Sequence, residues 1–232
     1  MDIDVKRRVS LRERARDPAL TALLALQCFM LLVAAPAAAG GYWGARLAFE
    51  FSALGFAVLV FIIADGPVAT TISVLAIACG VVVTTWRQIW ALTTTSSLLD
   101  AIGSLTADLL IIYLVGRAVL APGEITRHRV LGAVALYLGL GMAFASAYRV
   151  SWELFPASLA NVSPDILVSQ AYSSMLYFSF VTLTSVGYGD IVPVQPFVRA
   201  LSNLEAIVGQ LYPATLLARL VTLQLAGQQP ER

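Results

Sequence analysis

Residues 184–190 read Thr-Ser-Val-Gly-Tyr-Gly-Asp, and their chemistry departs from the apolar sequence on both sides. Gly187 and Gly189 adopt positive φ at little steric cost, while Val186 and Tyr188 between them stay right-handed. Such alternation turns successive carbonyls to the same side of the strand, not to opposite sides as in β structure. One strand then offers a column of oxygens. Four around an axis offer stacked cages that replace a cation's hydration shell. Asp190, at the rim, would concentrate cations at the entrance and accept hydrogen bonds that brace the loop. The chain shows no nucleophile–base set, metal-ligand cluster or phosphate-binding loop, so the sequence argues against an enzyme and calls for no cofactor.

The elements that hold this stretch are read as membrane helices. Of the 232 residues 59% are hydrophobic and 12% charged, against about half and about a quarter in a soluble domain. The net charge of +1 implies no polyanionic partner. Lys6, Arg7, Arg8, Arg12, Arg14 and Arg16 crowd the N-terminus. A nucleic-acid-binding arm is one reading; a positive-inside signal before a first membrane helix is the better one. Cys28 and Cys79 sit in separate apolar runs as reduced thiols, and His128, between Arg127 and Arg129, reads as a solvated interfacial residue.

Asp17 and Pro18 make a good helix start, as N-cap and first helical residue. The uncharged run that follows is long enough to cross about 20 residues' worth of hydrocarbon and lacks a convincing cleavage site. A second span is expected over about 47–64, and a third ending near Trp86 and Trp90. Residues 91–103 are either an external loop or the early turns of a long helix. A fourth span covers about 104–120, a fifth 130–148 and a sixth 196–225. With a cytoplasmic N-terminus, four crossings return the chain inside at Arg117, Arg127 and Arg129, as the positive-inside bias asks. The fifth span then exits, and the segment before the sixth dips in from outside. Residues 151–166 read as an external loop. Residues 167–184 are helix-length but too short and too polar to span, so they read as re-entrant, which non-helical backbone at membrane depth permits only when buried or lining water. The fold class is therefore all-α membrane, six spans with a re-entrant helix and loop between the fifth and sixth.

Residues 182–190, Thr-Leu-Thr-Ser-Val-Gly-Tyr-Gly-Asp, resemble the selectivity-filter motif of potassium channels, over a region of about 128–226. The plainer alternative is a chance Gly-Tyr-Gly turn between two helices. The resemblance implies a homotetramer with three further copies, passing K⁺ passively through rings of carbonyls, the established device of that family. Thr184, Ser185, Val186, Gly187, Tyr188 and Gly189 would line the filter, with K⁺ at Ser185, Val186, Gly187 and Tyr188. Ser185 stands where the family usually has threonine, and Val181 where some small bacterial channels have a glutamate. Tyr188 is intact, which favours potassium over sodium. Tyr177, Phe178 and Phe180 would form an aromatic cuff, or pack as ordinary helix residues.

The sixth span carries Gly209, nineteen residues past Asp190, which is the family's usual hinge spacing, and Pro213 follows four residues later. Proline cannot donate to the carbonyl of Gly209, so a bend is expected here; a glycine for tight packing beside a tolerated proline is the alternative. In the family's register Gln210 and Leu217 face the central cavity. Glu205 is costly inside a membrane. It either hydrogen-bonds behind the re-entrant helix or lines the cavity.

Strong voltage gating needs about 3–4 charges per subunit, each contributing about 2.3 kcal/mol per 100 mV, and the fourth span offers Arg117 alone, with Asp108. Asp100 and Asp108 are a cation or proton site, or are paired or in a wet vestibule. The expected organisation is a basic cytoplasmic N-terminus (1–17), a four-helix sensor-like domain (18–127), a pore domain (128–226) and a short cytoplasmic tail (227–232), with lipid as a partner and no soluble ligand domain. The location implied is the plasma membrane, or the inner membrane of a bacterium. A weakly selective cation channel, a subunit of a potassium-uptake transporter and a non-conducting subunit of a partner channel remain the alternatives.

Overall fold

The computed structural model of the chain describes residues 18–40, 94–120, 127–155, 157–162 and 168–226, with single helical positions at 55, 59 and 71. The expected second and third spans, the basic N-terminus and the tail lie outside the described residues, apart from those single positions.

Helix α1 covers residues 18–39, and its Met30–Ala34 segment is wound as a π-helix. The cause lies two residues on: Pro36 has no N–H to return to the carbonyl four residues earlier, and a wider turn absorbs the defect. Helix α2, Thr94–Leu120, has 27 residues, so residues 94–103 are the early turns of a long helix and not a loop. Hydroxyls that would loosen a helix here bond back within it, Ser104 Oγ donating to the Asp100 carbonyl at 2.9 Å and Thr106 Oγ1 to that of Ile102 at 2.8 Å. Helix α3, Arg127–Leu154, runs past the expected fifth span at both ends. Residues 151–154, read as the start of an external loop, are therefore helical. The buried side of α3 is mostly small, with Gly132, Ala133, Ala135, Gly139, Gly141, Ala143, Ala145, Ser146 and Ser151 beside the larger Leu136, Tyr148 and Arg149. Such a face lets neighbouring helices approach closely, which is how helices pack where lipid removes the hydrophobic driving force.

Beyond α3, the two-residue strands β1 (Leu159–Ala160) and β2 (Val192–Pro193) pair antiparallel, Leu159 with Pro193 and Ala160 with Val192. Helix α4, Val168–Leu183, has 16 residues. Helix α5, Pro196–Ala226, has 31 and continues unbroken through Pro213. Among the described residues three helices are long and apolar enough to cross a membrane, over Pro18–Ala37, Ser97–Leu120 and Arg127–Leu154. Arg199, Glu205 and Gln210 interrupt the apolar run of α5.

Two apolar clusters bind these helices. One joins Leu20, Leu23 and Met30 of α1 to Val115 and Val119 of α2 and Ala133 and Leu136 of α3. The second joins Tyr148 of α3, Met175, Leu176 and Phe178 of α4, and Val198 of α5 around Ala35 of α1. Polar contacts cross the same interfaces. His128 Nδ1 lies 2.7 Å from Thr21 Oγ1, so the histidine read as solvated ties α3 to α1. Arg149 of α3 pairs with Asp100 of α2 at 2.5 Å, both nearly buried, and Ser146 Oγ donates to Asp108 at 2.6 Å. Asp100 is thus ion-paired, and Asp108 is hydrogen-bonded to a serine hydroxyl. Cys28 is a free thiol.

Candidate functional site

The loop of residues 184–190 follows directly on the C-terminus of α4, where the helix dipole leaves partial negative charge. The backbone alternates as glycine chemistry predicts: φ is +58° at Gly187 and +80° at Gly189, and among the described non-glycine residues of the loop only Ser185 is also positive, at +57°. The alternation therefore starts one pair earlier than the glycines announce. Serine suits that position better than threonine, because a β-branched side chain is a true outlier at positive φ. An ideal Cβ on Gly187 or Gly189 meets nothing within 4 Å; backbone conformation, not space, demands glycine there. All seven residues of the loop are exposed in the single chain.

The loop is anchored from three directions. Val181 of α4 receives two loop amides on one carbonyl, Val186 N at 2.9 Å and Gly187 N at 3.2 Å, while Ser185 N reaches Thr182 O at 2.8 Å. Val181 has no carboxyl to offer the loop, and its backbone carbonyl is what holds it. At the far end, Tyr177 donates its hydroxyl to Asp190 Oδ2 at 2.7 Å, Ile191 N donates to Oδ1 at 3.0 Å, and Asn161 Nδ2 reaches the Asp190 carbonyl at 2.8 Å. Asn161 has φ +64°, a conformation that asparagine tolerates well. The hydrogen bond from Tyr177 holds the Asp190 carboxyl below its ordinary range, and the same bond raises the Tyr177 phenol. The third anchor is α5, where Gln210 Nε2 donates to Ser185 Oγ at 2.9 Å.

Tyr177, Phe178 and Phe180 of α4 meet three different neighbours. Tyr177 turns to the loop. Phe178 is buried and meets the Tyr148 ring edge-on, centroids 4.8 Å apart. Phe180 lies against Gly141, whose missing Cβ would sit 2.8 Å from the ring. Steps of about 100° per residue on a helix put neighbours on different faces, so the three side chains meet different neighbours within the chain.

Gly209 of α5 sits hard against the end of α4: a Cβ there would lie 1.8 Å from the Leu183 carbonyl oxygen. That contact gives the glycine a packing role. The same carbonyl takes a long hydrogen bond from Tyr137 of α3 at 3.4 Å. Tyr137 in turn stacks on Tyr212, centroids 5.6 Å apart, and Tyr212 donates to the Ala133 carbonyl at 2.7 Å. Leu217 is 64% exposed in the single chain, on the part of α5 left uncovered.

Glu205 is fully buried. Ser179 Oγ of α4 lies 2.5 Å from its Oε1 and Tyr148 OH of α3 2.5 Å from its Oε2. It therefore lies behind α4, bonded to a hydroxyl of that helix, and the cavity-lining alternative does not hold in this chain. Ser179 and Tyr148 were not singled out from sequence; they lie 26 and 57 residues from Glu205, and no periodicity links them.

Comparison with known proteins places this region. Residues 136–224, from α3 through the loop to α5, match the family described as "Ion channel". Over 92 residues the chain is 35% identical to Protein LctB of Bacillus caldotenax, covering 38% of this chain and 66% of that protein. Over 76 residues it is 30% identical to the inward rectifier potassium channel Kirbac3.1 of Paramagnetospirillum magnetotacticum, covering 33% of this chain and 23% of that one. The chain thus spans less than two thirds of the length of either curated relative. Through this region the chain is similar to ion-channel proteins, an inward rectifier potassium channel among them.

Proposed function

We propose that the chain is one quarter of a homotetrameric, potassium-selective channel that conducts passively and is not strongly voltage-gated. The observation that carries this reading is the alternation of positive φ at Ser185, Gly187 and Gly189. It aligns the carbonyls of residues 184–189 as one wall of a set of cages, closed by three further copies about a common axis. In this reading K⁺ is bound at Ser185, Val186, Gly187 and Tyr188, Asp190 sits at the outer rim, and α3, α4 and α5 are the outer, pore and inner helices of a pore domain at 128–226. The preceding helices of 18–127 form a sensor-like domain with too few cations for steep voltage dependence. The N-terminus and the tail at 227–232 are cytoplasmic, in the plasma membrane or a bacterial inner membrane. Gln210 and Leu217 face the cavity, and Gly209 with Pro213 is the place where α5 bends on opening.

A weakly selective cation channel is the second reading, favoured by Ser185, which lacks the methyl group of the usual threonine. The Gln210 amide on Ser185 Oγ supports the selective reading instead, because it holds that hydroxyl from outside the loop. The test is conduction by purified protein in liposomes, with Gly187→Ala as the control for the pathway. Wild-type protein is expected to pass rubidium well above sodium, and the variant to express and assemble but pass neither. Comparable rubidium and sodium fluxes would remove the selective reading, and full flux through the variant would remove the filter assignment.

A further inference from the structure

Glu205 presents a hydrogen count that does not balance if it is ionised. Three oxygen–oxygen contacts meet there: Tyr148 OH to Oε2 at 2.5 Å, Ser179 Oγ to Oε1 at 2.5 Å, and Ser179 Oγ to the Gly141 carbonyl at 2.7 Å. Each hydrogen bond needs one hydrogen, and the two hydroxyls supply two. The Tyr148 hydroxyl donates to Oε2, so its hydrogen is committed to Glu205. The carbonyl of Gly141 has none to give, and two acceptors do not rest 2.7 Å apart without a hydrogen between them. The third hydrogen belongs to Glu205. Its Oε1–H donates to Ser179, which donates to Gly141, while Oε2 accepts from Tyr148.

We infer that Glu205 is a buried proton-binding site joining α3, α4 and α5, and that conduction depends on that proton staying bound. The second half rests on the channel reading above. Among the described residues, the titratable groups that face Glu205 are Tyr148 and, at longer range, Tyr137, both from α3. Helix α4 brings Ser179, α5 brings Ser202, and α1 closes the adjoining cluster with Ala35. None of these is a cation, so nothing among them balances a negative charge.

Loss of the proton has a defined mechanical consequence. Ser179 has one hydrogen and must release either Gly141 or Glu205, while an uncompensated charge sits in a fully buried place, which is expensive. Two residues beyond Ser179, the Val181 carbonyl holds the amides of Val186 and Gly187. One turn beyond Glu205, Gly209 rests on the Leu183 carbonyl. Whichever contact breaks, the strain reaches the base of the loop.

The test uses the full chain in lipid, with two readouts. Infrared spectra at neutral pH should contain the C=O stretch of a protonated carboxyl that Glu205→Gln removes. Rubidium flux should fall at least tenfold as pH is raised through the loss of that band. Glu205→Gln keeps one donor and one acceptor in place and should hold its flux across the same range. Absence of a Glu205-dependent band at neutral pH overturns the proton site. A band that titrates while flux in wild type and Glu205→Gln changes in parallel overturns the dependence of conduction on it. If the glutamine variant does not assemble, Ser179→Ala takes its place: it should shift the frequency of the band, and an unshifted band refutes the assignment. No flux from wild type at any pH would count against the channel reading, and the infrared band would still decide the proton.

Discussion

Replacing Gly209 by alanine separates two uses of a helix glycine. As a bending point, the residue can take alanine at rest, and alanine is favoured over glycine in a helix interior by about 1 kcal/mol. As a contact point it cannot. The added Cβ would lie 1.8 Å from the Leu183 oxygen, 2.7 Å from its carbonyl carbon and 3.1 Å from its Cα, where approaches below 3.0 Å do not occur. The obstacle is backbone at the end of α4 and has no rotamer to change. Helix α5 must therefore withdraw by about 1.2 Å, the difference between 1.8 and 3.0 Å. Gln210 is the next residue, and a shift of that size takes its 2.9 Å bond to Ser185 beyond hydrogen-bond range. Overpacking of this kind costs about 1–3 kcal/mol and the lost bond about 0.5–1.5 kcal/mol more, which together exceed the helix-propensity gain. Gly209→Ala is therefore expected to lower the melting temperature of the purified protein and its rubidium flux together. Gly103 supplies the control, since an ideal Cβ there meets nothing within 4 Å; Gly103→Ala should leave both unchanged or raise the melting temperature. A Gly209→Ala protein as stable as wild type or more so, whatever its flux, would refute the packing argument.

Other perturbations bear on the remaining contacts. Asp100→Asn should destabilise by about 3–5 kcal/mol by leaving Arg149 unbalanced in a buried position, whereas Asp100→Leu with Arg149→Met should recover most of the loss in a thermal melt. Tyr177→Phe removes the hydroxyl on Asp190 and should reduce rubidium flux while leaving assembly on a sizing column intact; unchanged flux would show that the loop does not need that brace. Gln210→Leu should raise sodium flux relative to rubidium by freeing Ser185 Oγ, and an unaltered ratio would separate Ser185 from selectivity.

The parts of this fold that were legible in sequence are those set by local rules. The alternation at Gly187 and Gly189 was readable because only glycine takes positive φ without cost, and the ends of α4 and α5 were close to their expected places because Leu183 and Pro196 flank a loop with its own chemistry. Ser185 escaped because nothing in a serine announces a left-handed backbone. Residues 94–103 were ambiguous because Thr and Ser serve loops and helices alike; the bond of Arg149 to Asp100 decides between them, 49 residues apart in sequence. Gly209 carried two meanings, and only its distance to the Leu183 oxygen reveals the second. Glu205 was recognisable as costly and as a partner for α4 hydroxyls, but its pairing with Tyr148 required three helices to be placed together.

The most direct test of the account is the reversal potential of the purified chain in a planar bilayer with potassium on one side and sodium on the other. A potassium-selective pore predicts a potential close to the potassium equilibrium value, and its disappearance, with the current, in Gly187→Ala. A reversal potential near zero, or current that survives in that variant, would contradict the claim that residues 184–189 select the ion.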